Sequence, residues 1–177
     1  MSSFDNSFFE ERYNKNLADS DVFQDWLSDK LRCAHPGFIL GIYGSKLYQI
    51  QKGESFSGVE VKNDRLMEKT GNLYFEVEEK HEPKDNWTKS GVYRKDICWL
   101  YLIANNDEAF MFSCKQMCIL YENKKKWPQY KLEEKETHTS RGFIIPREKL
   151  INSPYLLQHW VFDEEAVKLH HPGQKIY

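Results

Sequence analysis

The stretch Gly58-Val59-Glu60-Val61-Lys62-Asn63-Asp64 alternates valines with charged residues at a period of two. This period is typical of a β-strand, in which successive side chains point to opposite faces of the sheet. The two valines then lie on one face, and Glu60, Lys62 and Asp64 share the other. The sequence therefore predicts a strand with one apolar face and one charged face.

Further strands are predicted on both sides of this stretch. Upstream, residues 38–50 are predicted to form a hairpin with a turn at Gly44-Ser45. Downstream, residues 97–103 are almost entirely apolar, as a central strand buried on both faces should be. Other strands are predicted at residues 73–78, 109–112 and 143–145.

Helices are predicted mainly at the N-terminal end of the chain. Phe9, Tyr13 and Leu17 fall four apart, which indicates a first helix. A second helix is predicted to begin with Ser20 as its N-cap, and its apolar stripe comprises Val22, Phe23, Trp26, Leu27 and Leu31. Short helices are predicted at residues 115–121 and 147–150. Together these elements predict an α+β (α/β) fold, with N-terminal helices packed on a central mixed β-sheet.

Length and charge limit the class of protein. The 177 residues suffice for one domain, with N-terminal helices in residues 1–36, a core in residues 38–150 and a partly loose tail in residues 160–177. A formal net charge of −2 argues against a protein that coats nucleic acid indiscriminately. The N-terminus has neither a basic region nor an apolar run, and no stretch is apolar enough for a membrane span. We therefore expect a cytoplasmic (intracellular) protein with no membrane partner.

Glu54, Glu60 and Lys62 form the most informative constellation. Side chains two positions apart on a strand lie roughly 6.5 to 7 Å apart, so Glu60 and Lys62 can serve one phosphate. Glu54 on the preceding turn offers a second carboxylate, and the Val61 carbonyl a third oxygen, for Mg²⁺. Lys62 can then orient a water molecule or stabilise charge in the transition state. An isolated Glu-x-Lys is nevertheless usually an ordinary solvent-facing strand.

Several blocks surround this constellation in a fixed order. They are Gly53-Glu54-Ser55, Gly58 to Asp64, Thr70-Gly71-Asn72-Leu73-Tyr74, Glu76-Val77, Ser90-Gly91-Val92-Tyr93, Trp99-Leu100-Tyr101 and Thr139-Ser140-Arg141-Gly142-Phe143. This layout, over roughly residues 38 to 150, resembles that of small bacterial and phage proteins of the restriction-endonuclease-like, PD-(D/E)XK nuclease superfamily.

The resemblance implies a restriction-endonuclease-like sheet, Mg²⁺ or Mn²⁺ as cofactor, DNA as substrate and a homodimer. It implies Glu54 and Glu60 as metal-binding acids and Lys62 as the catalytic lysine. The first acid of the superfamily is usually an aspartate, so Glu54 departs from its pattern. Accessory acids would be Asp64, Glu76 and, from the first helix, Glu11 or Glu10.

Two basic features are candidates for contacts with nucleic acid. Lys124, Lys125 and Lys126 precede Trp127, a pattern that suits phosphate contacts and base stacking but is more often a solvated loop. Arg141 follows two hydroxyl residues and can grip a phosphate or simply lie on the surface. His81, His138 and the pair His170-His171 lie in no motif with a nucleophile, and Trp99 is predicted to be a core residue.

Two functions from different classes follow. The first is a metal-dependent nuclease that hydrolyses DNA phosphodiester bonds. The second is a non-catalytic nucleic-acid-binding or protein-interaction module on the same fold, which has lost effective metal binding. A small-molecule enzyme has no phosphate loop, dinucleotide-binding glycines or nucleophile elbow to support it.

Overall fold

The described part of the chain is an α+β fold in which two β-sheets face each other. The computed structural model describes residues 15, 18–20, 22–32, 58–82, 84–95 and 98–163, and the backbone of residues 167–170. Within them the strands are β1 (Val59–Asn63), β2 (Asn72–Glu79), β3 (Thr88–Lys89), β4 (Leu100–Ala104), β5 (Glu108–Ser113), β6 (Glu133–Glu136), β7 (Ser140–Pro146), β8 (Leu156–Phe162) and β9 (Val167–His170). The helical residues are 15, 18–20, 22–32, Met67–Thr70, Cys114–Glu122 and Arg147–Ile151, with 3₁₀ turns at Gly91–Tyr93, Lys124–Lys126 and Pro128–Tyr130.

Five strands form a mixed sheet in the order β1-β4-β5-β8-β9. β1 runs parallel to β4, with Glu60 opposite Tyr101, whereas the other neighbours are antiparallel. The apolar run predicted as a central strand is β4. All five of its residues are buried, which confirms that prediction.

A different layer covers each face of this sheet. The cluster on one face joins the helix 22–32 to the five-stranded sheet. Its residues are Phe23, Leu27, Leu31, Val59, Val61, Leu100, Leu102, Ala104, Ala109, Trp160 and Phe162. The cluster on the other face includes residues from the second sheet, among them Leu73, Phe75, Val77, Tyr101, Ile103, Phe110, Phe112, Phe143 and Ile145. β4 contributes alternate residues to the two clusters, as the period of a strand requires.

The second sheet is antiparallel, in the order β3-β2-β7-β6. The central mixed sheet expected from the sequence corresponds to the five-stranded sheet, but the segments 73–78 and 143–145, also predicted as strands, lie in the second sheet. β2 pairs along its length with β7, from Asn72 opposite Pro146 to Glu79 opposite Ser140. A period of two identifies a strand but does not determine which strand it pairs with. Pairing with β7 places Glu76 and Glu78 in the sheet that faces β1.

Ser20 is predicted as the N-cap of the second helix, and this is wrong. Residues 18–20 are already helical, so Ser20 is not the N-cap, and its Oγ accepts a hydrogen bond from Gln24 Nε2 at 3.3 Å. Phe23, Leu27 and Leu31 are buried as predicted, but Val22 is 70% exposed, since it lies beside the stripe that faces the sheet. The helix predicted around Phe9 and the hairpin of residues 38–50 lie outside the described residues.

One other prediction from the sequence needs correction. Trp99 is 61% exposed although its neighbours Cys98 and Leu100 are buried, so its side chain lies on the opposite, solvent-facing side just before β4. Residues 160–162, the start of the segment predicted to be a partly loose tail, complete β8. Trp160 and Phe162 are buried there, and their backbones pair with those of Leu169 and Val167 in β9.

Gly91 is a position where the fold requires glycine. Its φ is +52°, and an added Cβ would lie 2.3 Å from the carbonyl oxygen of Glu76. Gly71 has a similar φ of +68° but nothing within 4 Å of such a Cβ. We expect Gly91→Ala to lower the free energy of unfolding by about 3 kcal/mol, and Gly71→Ala by only about 1 kcal/mol. Urea unfolding checks this, and equal losses for the two variants would contradict the close contact.

The stability of the fold should fall in alkaline solution. Burial, followed by the hydrogen bond to Glu134, raises the pKa of Tyr121 from 10.0 to about 12. The unfolded chain therefore loses this proton first, so stability is full below pH 10 and declines as the pH rises toward 12. Urea unfolding between pH 9 and 11 measures the decline. In Tyr121→Phe the free energy of unfolding should fall less steeply with pH, by the equivalent of up to about one bound proton. An unchanged slope would contradict the assignment of the decline to Tyr121.

Candidate functional site

Glu60 is a charged side chain that the fold buries completely between the two sheets. Because Val59 and Val61 face the helix, the alternation of β1 turns Glu60 toward the second sheet, where its side chain has no solvent exposure. A buried carboxylate needs compensating cations. Lys62 Nζ lies 3.0 Å from Glu60 Oε1, and Arg94 Nη1 donates to Glu60 Oε2 at 2.8 Å.

Glu76 projects into the same space from β2. Its Oε1 lies 3.4 Å from Lys62 Nζ and accepts a hydrogen bond from Ser90 Oγ at 2.7 Å. Its Oε2 accepts from Ser140 Oγ at 3.0 Å. The ammonium of Lys62 thus lies between two carboxylates that come from strands of different sheets.

Tyrosines surround these acids with further hydrogen bonds. Tyr74 and Ser140 share a hydrogen bond of 2.6 Å between their hydroxyl groups, and the backbone N–H of Glu76 donates to the Tyr101 hydroxyl at 3.3 Å. Burial raises the pKa of both tyrosines, so each remains a neutral phenol. Gly142 allows this packing, because an added Cβ would lie 2.7 Å from the Tyr74 ring.

One short turn contacts both carboxylates. The 3₁₀ turn Gly91–Tyr93 has Ser90 as its N-cap residue and Arg94 as its C-cap residue. Ser90 donates to Glu76, and Arg94 donates to Glu60. Gly91 lets the turn approach the backbone of Glu76. The turn therefore ties the acid of β2 to the acid of β1.

Asp64 is predicted to share a strand face with Glu60 and Lys62, but its carboxylate bonds to backbone N–H groups. It follows the last residue of β1, and its carboxylate accepts hydrogen bonds from the backbone N–H groups of Leu66, at 3.0 Å, and Tyr74, at 3.4 Å. Burial raises its pKa, and the hydrogen bonds to Leu66 and Tyr74 oppose that shift. These contacts fix the corner between β1 and β2.

The predicted metal ligands are only partly within the described residues. Glu54 and Glu11 lie outside them. Val61 is in the middle of β1 opposite Leu102, with its side chain in the core. Across the described ranges, no three His, Cys, Asp or Glu side chains are grouped so that they could hold a metal ion. Glu60 and Glu76 supply two carboxylates.

Two of the four basic candidates, Lys124 and Arg141, pair with exposed acids. Lys124 Nζ is 2.5 Å from Glu134 Oε1, whereas Lys125 and Lys126 are exposed on a 3₁₀ turn. Arg141 Nε is 2.7 Å from Glu136, and its guanidinium lies 4.1 Å from the centre of the Trp87 ring. Trp87 also contacts Lys80 Nζ at 4.4 Å.

Sequence reasoning missed the roles of Arg94, Ser90 and Ser140. The two serines stand in blocks that the resemblance singled out, but nothing in the pattern pairs them with Glu76. A second buried cluster was also missed. Glu108 in β5 accepts a hydrogen bond from Arg147 and lies 3.0 Å from Nε2 of His159 in β8. Its residues are far apart in sequence, so only pairing of β5 with β8 reveals it.

Comparison with protein-family models, curated proteins and solved structures finds no match to this chain. Among the described helices, none is long and apolar enough to cross a membrane.

Proposed function

We propose that the protein is a metal-dependent nuclease that hydrolyses DNA phosphodiester bonds. The observation that supports this most strongly is the position of Lys62, whose ammonium lies 3.0 Å from Glu60 and 3.4 Å from Glu76. Two acids and one lysine then converge on a point where a phosphate and its attacking water can meet. The sequence resemblance assigns catalysis to the same Glu60 and Lys62.

A hard divalent cation is the proposed cofactor. Carboxylate oxygens are the ligands that Mg²⁺ and Mn²⁺ prefer, and Mg²⁺ often needs only one or two protein carboxylates besides water and phosphate. Glu60 and Glu76 would hold the ion, and Glu54 and the Val61 carbonyl are further ligands expected from the sequence. When bound, such an ion lowers the pKa of a coordinated water molecule and polarises the phosphoryl oxygen.

Lys62 supplies the positive charge that this chemistry needs from the chain itself. Its side chain is about one-third exposed, so it can reach a phosphate at the edge of the buried cluster. There it would orient the attacking water and stabilise the charge that develops on the phosphoryl oxygens. Glu60 and Glu76 hold its ammonium in place from two sides, which reduces the reorganisation needed during the reaction.

DNA is the proposed substrate, and a homodimer is the proposed assembly for cutting both strands. Lys125 and Lys126 are exposed cations outside the site and are proposed to contact the DNA backbone. Since Lys124 and Arg141 pair with Glu134 and Glu136, they would contribute only after exchanging those acids for phosphates.

One observation favours the alternative, a non-catalytic nucleic-acid-binding or protein-interaction module. Both oxygens of Glu60 already lie beside cations of the chain, Lys62 and Arg94. A site whose charges are balanced in this way can be structural. DNA binding without cleavage under any divalent cation would support this alternative.

The deciding experiment incubates plasmid and single-stranded DNA with the purified protein and Mg²⁺, Mn²⁺ or EDTA. We expect cleavage with either metal, none with EDTA, and a loss of at least about 100-fold for Glu60→Gln. Glu82→Gln, which removes an exposed acid paired with Lys84, is the matched control and should cleave normally. Equal cleavage by wild type and Glu60→Gln would indicate a contaminating nuclease and reject the proposed site.

A further inference from the structure

Trp87 carries two cations of the chain against its indole ring. Lys80 Nζ lies 4.4 Å from the centre of the ring, and the Arg141 guanidinium lies 4.1 Å from it. The indole is only half-buried, so a ligand can reach it. We propose that these three residues, the Trp87 surface, bind an unpaired stretch of DNA, with a base stacked on the indole and phosphates at the two cations. The inference deepens the proposed function, on which it rests for the choice of DNA as the ligand.

Strand pairing in the second sheet brings the Trp87 surface together. In its register, Glu79 of β2 lies opposite Thr88 of β3 and also opposite Ser140 of β7. Each residue of the Trp87 surface is the neighbour along the chain of one member of this row. The indole and the two cations therefore meet at one end of the sheet, although they come from three separate segments.

A single strand of DNA offers both kinds of group that the Trp87 surface can bind. Unpaired bases stack on aromatic rings, and phosphates pair with lysine and arginine. In a duplex the bases are already stacked on one another, so the surface would contact only phosphates. An acidic protein would pair with the two cations but would have no base to place on the indole. An unpaired region offers both of its strands, so this preference is compatible with the proposed homodimer.

Acids of the chain compete with DNA for Arg141. Glu136 lies 2.7 Å from its Nε, and Glu78 lies 3.7 Å from its Nη1. Glu136 has 57% of its side chain exposed, so this pair contributes little to stability and a phosphate can replace the acid. Removing the charge of Glu136 should therefore strengthen DNA binding, whereas removing the indole should weaken it.

The test measures binding of the full chain to labelled oligothymidine and to a labelled duplex of the same length, by fluorescence anisotropy in EDTA. We expect the single strand to bind at least about tenfold more tightly than the duplex. Trp87→Leu should weaken binding of the single strand about tenfold and that of the duplex less than about twofold. Trp99→Leu removes another exposed tryptophan, and it should have no effect.

Glu136→Gln should bind the single strand about threefold more tightly, because one more phosphate contact becomes accessible. Glu133→Gln is the matched control, since it removes an acid of similar exposure from the same strand, one that pairs with Lys135. It should change binding by less than about twofold. Equal effects of the two variants would mean that Glu136 does not compete for Arg141, which overturns the inference.

The remaining outcomes separate this inference from the proposed nuclease. Equal binding of single strand and duplex, unchanged binding by Trp87→Leu, or no binding of either DNA overturns the inference, and the plasmid assay then decides separately on the nuclease. Preferred binding of the single strand by a protein that does not cleave DNA supports the inference and rejects only the nuclease. If Trp87→Leu does not fold, Trp87→Gln is measured against the same expectation.

Discussion

Lys62→Met is expected to lower the rate of metal-dependent DNA cleavage by at least about 100-fold, the scale of losing one charged group that stabilises a transition state. The methionine keeps most of the volume of the side chain and removes its charge and its hydrogen-bond donors. Arg94 still compensates Glu60, and Ser90 and Ser140 still hold Glu76, so we expect the variant to remain folded. Single-turnover cleavage of a labelled oligonucleotide measures the chemical step.

Lys89→Met is the matched control for this experiment. Lys89 pairs with Glu78 at 3.1 Å, two residues along β2 from Glu76, so it has similar geometry beside the site but not in it. We expect its cleavage rate to stay within a factor of about three, because a surface ion pair contributes little. A comparable loss in both variants would show that cleavage depends on general positive charge and would remove the specific role of Lys62.

Arg94→Ala is expected to lower the free energy of unfolding by roughly 2 to 3 kcal/mol. Removing one partner of a buried ion pair leaves an uncompensated charge, which usually costs about 3 to 5 kcal/mol. Here Lys62 continues to compensate Glu60, so the expected loss is smaller. In the double variant with Glu60→Gln, Arg94→Ala should cost about 1 kcal/mol or less, since no carboxylate remains to be compensated. Urea unfolding of the four proteins closes the cycle.

Arg141→Ala tests the physical reason for that result. Its guanidinium lies 2.7 Å from Glu136, close to the 2.8 Å between Arg94 and Glu60, but Glu136 has 57% of its side chain exposed. An exposed pair should contribute only about 0 to 1 kcal/mol. Equal losses for Arg94→Ala and Arg141→Ala would mean that burial of Glu60 does not control the strength of its ion pair.

Local pattern was sufficient for most elements and for the residues that carry charge. The alternation around Glu60 predicts β1, the apolar run predicts β4, and the segments near 115–121 and 147–150 form helices as expected. The pattern failed where the burial of a single residue depends on its neighbours in space. Trp99 continues an apolar run but is exposed just before the first residue of β4, and Val22 lies beside the stripe that its helix buries.

The sequence by itself determined that Glu60 and Lys62 share one face of a strand, because strand geometry alone places alternate residues together. It also determined which residue types can do chemistry there. Only the tertiary structure decided that this face is buried against a second sheet, and that Glu76, Ser90, Arg94 and Ser140 complete the cluster. The physical reason is that period fixes the direction of a side chain but not the partner of a strand. The partners of Glu60 and Glu76 therefore come from segments up to 64 residues away.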